Sequence, residues 1–512
     1  GAGAAGSSAA YHLSQFAAAA GIPLNITVFE RESHVGGRST TVNAWGAPGV
    51  PVELGASIFV EVNKILVDAV KEFGLSTGDD DGTYASAGAG DDDDAPDTLG
   101  IWNGHEFVFS GPSDLSWWDR AKLLWKYGLA PIKTMRLMRA TVGRFLEMYQ
   151  EPYFPFRSLS EAAAQVGLLN ATAATGEEFL RQGGIGESFA REVVQASTRV
   201  NYAQNLPLID GLTTMVCMAA QGAMSVAGGN WRIFSSMLSA AKANVRINTT
   251  VTTLARHPEG GYMLLSNAAF ADKDAAVTLN PPTHFDTVIL AAPHQFANIT
   301  ITSPSSSPNI HIPDTIPYVT LHVTLLASPR RLNPAFFSLP PSSHVPDTIL
   351  TTLAPDETPD GKRQFVGRAG FFSISTLRRA RNPETGRTEW LYKIFSPEAI
   401  DEAFLGAMLG IDGEFPIGGA SDEITWLYRK VWQSYPYELP RVTFEKLGRR
   451  GLEGSLWYTS GIESFISTME TSALMGRNVA RLVVDGWVGE KEKGLGNGRD
   501  HAAGGEGEAK EL

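Results

Sequence analysis

One cysteine, Cys217, is all that 512 residues contain, so no disulfide can form within the chain. A chain of this length builds a core without covalent staples, and a single thiol therefore leaves the redox compartment open. Set in the apolar run Met215-Val216-Cys217-Met218-Ala219, it reads as a small buried side chain rather than a reactive thiol. Positive charge is scarce too. The 42 Lys and Arg against 55 Asp and Glu give a net charge of -13, which argues against a nucleic-acid partner, since that needs a basic footprint. No apolar stretch approaches the ~20 residues that span a bilayer, and no metal site is expected.

What is present is the composition of a large folded chain, 43% hydrophobic, long enough for two or three domains. Much of the acidity sits in Asp79-Asp80-Asp81 and Asp91-Asp92-Asp93-Asp94, separated by Gly, Ala and Ser, so 76–99 reads as a solvated acidic loop. Residues 486–512, rich in Gly, Glu and Lys, read as a disordered tail.

The chain is organised around its first forty residues. Gly1-Ala2-Gly3-Ala4-Ala5-Gly6 has the G-x-G-x-x-G spacing in which the first glycines allow a tight turn and close approach to a pyrophosphate, and the third allows the next helix to pack on a strand. A helical stretch over 7–20, a turn at Gly21-Ile22-Pro23 and the strand-like Asn25-Ile26-Thr27-Val28-Phe29 follow, closed by Glu30. An acid about 20 residues beyond the glycines is placed to accept hydrogen bonds from an adenosine ribose. The strand that such a loop follows, and any signal peptide, would lie upstream of residue 1.

Further along, helices are expected over 63–73, 159–167, 177–182, 187–196 and 212–224, and strands over 40–42, 51–59, 245–254, 286–293, 319–326, 371–374 and 390–395. Between 116 and 149, Trp117, Trp118, Trp125 and Tyr127 alternate with Arg120, Lys122, Lys126, Lys133, Arg136, Arg139 and Arg144. A basic, aromatic, helix-period segment covers a cavity with its apolar face inward, or contacts an anionic membrane peripherally. Sequons at Asn25, Asn170, Asn248 and Asn298 permit glycosylation, with Asn25 the least convincing at the mouth of a strand.

The run from Glu30 and Arg31 to Gly36-Gly37-Arg38 resembles the E-x-x-x-x-x-G-G-R signature of amine oxidase-like FAD flavoproteins. Further blocks, Arg199-Val200-Asn201-Tyr202, Gly228-Gly229-Asn230, Lys393-Ile394-Phe395-Ser396 and Gly461-Ile462-Glu463 with Met469-Glu470, make the whole similar to the prenylcysteine oxidase (prenylcysteine lyase) family. The resemblance implies an α/β fold. A Rossmann-type FAD domain assembled from 1–75, 225–300 and 445–485 would carry an inserted helical substrate or cover region over 100–224 and a mixed-sheet substrate domain over 301–444. Gly1, Gly3, Ala4, Gly6, Glu30, Arg31, Gly36, Gly37 and Arg38 would hold the FAD diphosphate and ribose, and Gly55, Ala56 and Ser57 would pass the isoalloxazine edge. Val251 and Ala292 would meet the adenosine, Gly461 and Glu463 the ribityl or pyrophosphate region, and Thr468 and Met469 would open a helix aimed at the flavin.

The activity implied is FAD-dependent, O2-consuming cleavage of S-farnesyl- or S-geranylgeranyl-cysteine to cysteine, a prenyl aldehyde and hydrogen peroxide. An apolar tunnel is expected over Leu115 to Met148 and Tyr202 to Met224, with Asn201 and Tyr202 at the amino-acid end and Lys393 and His322 as catalytic candidates. Two other readings stay open: a flavin amine oxidase-like enzyme on another substrate, and a non-catalytic prenyl-binding protein of the GDP-dissociation-inhibitor type. The secretory route, to a lysosome or vacuole, is the expected location.

Overall fold

The first helix, Ala4–Ala19, is made largely of Ala and Ser, and small side chains let another helix approach it closely. That helix is the long C-terminal one, Met469–Ala503. A Cβ at Gly476 would lie 2.3 Å from the Ala5 carbonyl oxygen, and Ser8 Oγ donates to the Ala473 carbonyl at 2.6 Å. The computed structural model describes residues 1–77, 98–112, 123–268, 278–303, 311–359, 365–413, 422–451 and 454–503. The acidic runs at 79–81 and 91–94 lie outside the described residues.

Around this helix pair the distant segments of the dinucleotide half assemble. Thr27–Phe29 pairs in parallel with Asn244–Arg246, and Thr287–Leu290 in parallel with Gly454–Tyr458. Thr249–Arg256 runs antiparallel to Tyr262–Ala268 with a bulge after Val251. The C-terminal helix continues beyond 486, where a disordered tail was expected. Trp487 and Val488 pack on the main core, so apolar residues hold the chain to the fold past that boundary.

The second half is a seven-stranded mixed sheet. Its spatial order is Trp426–Pro436, Tyr318–Ser328, Thr388–Ser396, Ser373–Arg381, Thr348–Thr351, Thr98–Trp102 and Phe107–Pro112. Successive residues of a strand face opposite sides, and register carries that alternation across the sheet. Val323 lies opposite Phe395 and Lys430, Leu325 opposite Lys393, and His322 opposite Ser396. One face buries Leu321, Val323, Leu325, Phe372 and Leu391; the other buries Leu326, Ile374, Tyr392 and Ile394. The last two strands correct the expected start of the helical region at 100. Residues 98–112 belong to the sheet because Thr98–Trp102 finds a parallel partner at Thr348–Thr351, remote in sequence.

Helices then cover the sheet. Thr175 and Glu178 form a reciprocal capping box at Gly176–Gln182, and Gln195–Tyr202 ends on Ala203 in the left-handed conformation. Arg199, fully buried, ties this helix to the sheet and its flank. It donates to Thr351 Oγ1 (3.1 Å), Asn205 Oδ1 (3.0 Å) and the carbonyls of Phe365 and Val366. The helix expected to reach Met224 spans only Gly211–Cys217, and the chain beyond turns so that Met224 bridges Phe59. Ala130–Leu146 turns Ala130, Thr134, Thr141, Val142 and Phe145 inward. Outward stand Lys133, Arg136 and Arg139, with Trp125 91%, Leu129 63% and Met135 49% exposed.

Candidate active site

A single cavity of about 1580 Å³ runs between the two halves, larger than the ~300–1,000 Å³ of ordinary small-molecule sites. Its adenosine end is main chain. Gly1, Gly3, Ala4, Gly6, Gly36 and Gly37 line it, and Gly3 bridges Gly36. A Cβ at Gly6 would lie 1.9 Å from the Gly1 carbonyl oxygen, and one at Gly36, where φ is +116°, 2.2 Å from the Ser39 carbonyl oxygen. Side chains are therefore excluded where a diphosphate must approach backbone. Glu30, buried on this wall, accepts from Ala2 N at 2.7 Å and Glu32 N at 2.9 Å. Its remaining lone pairs could accept from ribose hydroxyls of a bound dinucleotide. Arg31, Val251 and Ala292 line the same end.

Toward the middle, Arg38 Nη2 meets Glu463 Oε2 at 2.8 Å, and Tyr318 Oη donates to that oxygen at 3.2 Å. Arg38 also donates to the Ser434 carbonyl, tying the dinucleotide half to the sheet. Thr468 Oγ1 accepts from Thr471 N at 3.1 Å and Thr471 Oγ1 from Thr468 N at 3.0 Å, which caps the C-terminal helix. Ser467, Thr468 and Met469 line the cavity, so this helix start opens onto it. A helix N-terminus favours negative charge there by up to ~2 kcal/mol when partly buried.

At the sheet end the wall is side chains: Leu321, Val323, Leu377, Phe395, Trp432 and Tyr435, with Lys393 among them. Lys393 is 6% exposed; its Nζ donates to the Glu53 carbonyl at 2.9 Å and to Ser57 Oγ at 2.6 Å. Burial pulls its ammonium below the ordinary lysine range, and the nearby Glu53 carboxylate partly offsets this. Burial pushes the Glu53 carboxyl upward. Glu53 Oε1 accepts from Asn230 N at 2.7 Å, Oε2 has no partner, and Asn230 Nδ2 donates to the Ala56 carbonyl at 3.1 Å. The 53–57 turn is thus strapped on one side by Asn230 and on the other by Lys393. Gly55 belongs to the same turn, since a Cβ there would lie 1.9 Å from the Arg38 carbonyl oxygen. Tyr202 closes this end: its hydroxyl donates to the Ser467 carbonyl at 3.1 Å and its ring meets Tyr435 at 5.1 Å.

The structure therefore gathers Gly1, Gly3, Ala4, Gly6, Glu30, Arg31, Gly36, Gly37, Arg38, Gly55, Ala56, Ser57, Val251, Ala292, Glu463, Thr468, Met469, Asn201, Tyr202 and Lys393 around one cavity. Three expectations fail. His322 sits in the register of Ser396 and Val431, one residue out of phase with the cavity-lining Leu321 and Val323, and does not reach the cavity. Gly461 is not on the wall either; a Cβ there would press on Glu445 Cβ at 3.0 Å, so its glycine serves packing. No described residue of 115–148 lines the cavity. The sheet face supplies that wall instead, joined by Val216, Cys217, Ala219 and Ala220. Glu53, Phe395, Trp432 and Tyr435 were missed as site residues. A lone acid in Val52-Glu53-Leu54, between apolar neighbours at a strand end, was the one available signal.

The sequon residues Asn25, Asn170, Asn248 and Asn298 are all exposed, Asn25 and Asn298 where they also line the cavity. Comparison with known proteins gives a consistent picture. The profile of the family described as prenylcysteine lyase matches residues 111–494, and that of an NAD(P)-binding Rossmann-like domain matches 1–73. Farnesylcysteine lyase of Arabidopsis thaliana is 27% identical over 500 residues, covering 94% of this chain and 87% of the relative. Prenylcysteine oxidase 1 of Homo sapiens is 28% identical over 506 residues, covering 96% and 89%. Among solved structures, a triple mutant of putrescine oxidase superposes with a TM-score of 0.54 at 14% identity over 95% of this chain and 97% of its own. Cyclohexylamine oxidase from Brevibacterium oxydans IH-35A gives 0.52 at 13% identity over 95% and 98%. At that identity the likeness is one of fold.

Proposed function

This chain belongs to the prenylcysteine lyase family, and from that premise we propose that it is an FAD-dependent thioether oxidase of S-prenyl-L-cysteine. The reaction consumes O2 and water and yields cysteine, a prenyl aldehyde and hydrogen peroxide. The glycine cradle, Glu30, Arg38 and the start of the C-terminal helix fit FAD, whose diphosphate needs backbone approach and whose reduced ring needs a stabilised negative charge. When bound, FAD supplies two-electron acceptance from carbon and reoxidation by O2.

The observation that carries the reading is one continuous cavity joining that cradle to an apolar sheet face bearing a buried lysine. Leu321, Leu377 and Phe395 offer a surface for a hydrocarbon tail. A fifteen-carbon chain at ~0.8 kcal/mol per methylene releases about 10 kcal/mol gross on burial, enough to position the thioether with few polar contacts. The carbon beside sulfur loses a hydride; sulfur and the adjacent double bond share the positive charge; water adds, and the resulting hemithioacetal splits into aldehyde and thiol. Water adding to that carbon releases a proton. Lys393 Nζ, destabilised as an ammonium by burial, is the base on this wall that accepts it. Ser57 and the Glu53 carbonyl fix where Nζ sits.

The test is anaerobic mixing of the flavin-loaded protein with S-farnesylcysteine. Bleaching of the flavin band by one equivalent with formation of one equivalent of aldehyde, then an equal amount of peroxide on admitting O2, is the expected result. Oxidation of polyamines but not of the thioether would replace the reading with an amine oxidase. Saturable binding without bleaching would replace it with a prenyl-binding protein.

Contact with an anionic bilayer is a second part of this reading, supported by Trp125, Leu129 and Met135 standing exposed beside Lys133, Arg136 and Arg139. Cosedimentation with phosphatidylserine vesicles, lost in a W125S/L129S variant, is expected; equal binding by both proteins would remove it. A secretory route to a lysosome or vacuole is supported by exposed Asn170 and Asn248, and a mobility shift on enzymatic deglycosylation would check it.

A further inference from the structure

We infer that Lys430, with the Trp432 indole beside it, is the subsite for the α-carboxylate at the amino-acid end of the substrate, an inference that rests on the thioether reading above. Both residues line the cavity from the edge strand Trp426–Pro436. The Lys430 ammonium lies 4.7 Å from the Trp432 ring centroid. Of the other cations on the cavity wall, Arg38 engages Glu463, Lys393 engages Ser57 and the Glu53 carbonyl, Arg31 engages Glu32 and the Phe296 carbonyl, and Arg246, which like Lys430 faces an aromatic ring, Phe29, belongs to the adenosine end. Lys430 makes no hydrogen bond or ion pair among the described residues, and the buried Trp432 Nε1 has no acceptor either. A cation without an acceptor, on a wall whose cross-strand neighbours Leu321, Val323 and Phe395 are apolar, calls for an anion.

Register sets the distance. Lys430 lies opposite Val323, which lies opposite Phe395, so two strand spacings, ~10 Å, separate the backbones of Lys430 and Phe395. The Phe395 ring lies 4.9 Å from Lys393 Nζ. In an S-alkylcysteine, four single bonds, ~5–6 Å when extended, separate the carboxylate carbon from the reacting carbon. With the reacting carbon against Phe395 beside Lys393, the carboxylate extends over Val323 toward Lys430, whose flexible stem closes the remaining gap. The enzyme would then discriminate against the carboxyl ester. The reactions that supply its substrate must therefore include hydrolysis of any ester on the cysteine carboxyl group.

The experiment is calorimetric titration of the flavin-loaded protein with S-dodecyl-L-cysteine, which lacks the allylic double bond, and with its methyl ester. Wild type is expected to bind the acid about 10- to 100-fold more tightly than the ester, the range of a charge-assisted contact. Lys430→Met, which keeps the stem, should bring the two within about 3-fold without changing the ester's Kd; Lys430→Arg should restore most of the preference. Unchanged flavin absorbance in Lys430→Met confirms that the fold and cofactor site survive. An acid-to-ester ratio that is the same in wild type and Lys430→Met, with normal turnover of S-farnesylcysteine, overturns the inference alone and leaves Lys430 an edge-strand cation. Binding of neither compound, together with no turnover, overturns the thioether reading and this inference with it.

Discussion

At one end of the cavity the wall is backbone brought near by missing side chains; at the other it is side chains held out by a rigid register. The adenosine end keeps its one buried acid, Glu30, satisfied by two main-chain N–H groups. The sheet end sets together two buried titratable groups whose charged forms burial disfavours, Lys393 and Glu53. A binding cradle needs fixed dipoles and close approach, whereas proton transfer needs groups poised between two protonation states. The difference in construction follows from that difference in task.

The contrast breaks most completely at Gly6. Gly6→Ala puts a methyl group where only 1.9 Å is available to the Gly1 carbonyl oxygen. FAD retention should fall more than ~100-fold, read as loss of flavin absorbance in purified protein whose far-UV circular dichroism is unchanged. A yellow variant would show that the cradle does not depend on close approach. Next in size is Lys393→Met, expected to lower turnover by ~10²- to 10⁴-fold, the range for loss of a positioned base, while binding of the saturated analogue changes less than about 3-fold. Because burial lowers the Lys393 pKa, wild-type turnover should rise with pH below the ordinary lysine range, and that limb should vanish in the variant. His322→Gln, on the opposite sheet face, should leave turnover within about 2-fold. Equal losses in the two variants would erase the distinction between the faces.

The smallest effect concerns stability. Burial raises the Asp210 carboxyl to about 7, so between the ordinary aspartate range and that value the folded protein keeps a proton the unfolded chain has released. Stability therefore falls as pH rises through this window, by up to ~1.4 kcal/mol per unit. Asn keeps the cap that Asp210 Oδ1 makes with Thr213 N at 2.8 Å and carries no titration. Relative to wild type, Asp210→Asn should gain about 1–3 kcal/mol in going from about pH 5 to about pH 8 in denaturant melts. A variant whose difference from wild type is the same at both pH values would show that Asp210 is ionised in the fold.

The sequence by itself determined the adenosine end. Glycines at 1, 3, 6, 36 and 37 and the acid at 30 are local requirements of backbone geometry, and they read in sequence order because the elements between them are short. The long strands of the sheet were also legible from their apolar runs. Tertiary structure decided which face of each strand meets the cavity. His322 and Lys393 looked alike as polar residues in strands, and only the pairing of Leu325 with Lys393 and of His322 with Ser396 separates them, since one residue of register turns a side chain to the other face. It also decided that residues 98–112 join a sheet whose partner strand lies about 250 positions away, a contact that no local pattern encodes. The wall of the reaction end comes from strands far apart in the chain, and their assembly, rather than any motif, brings Lys393, Phe395, Lys430 and Trp432 into one compartment.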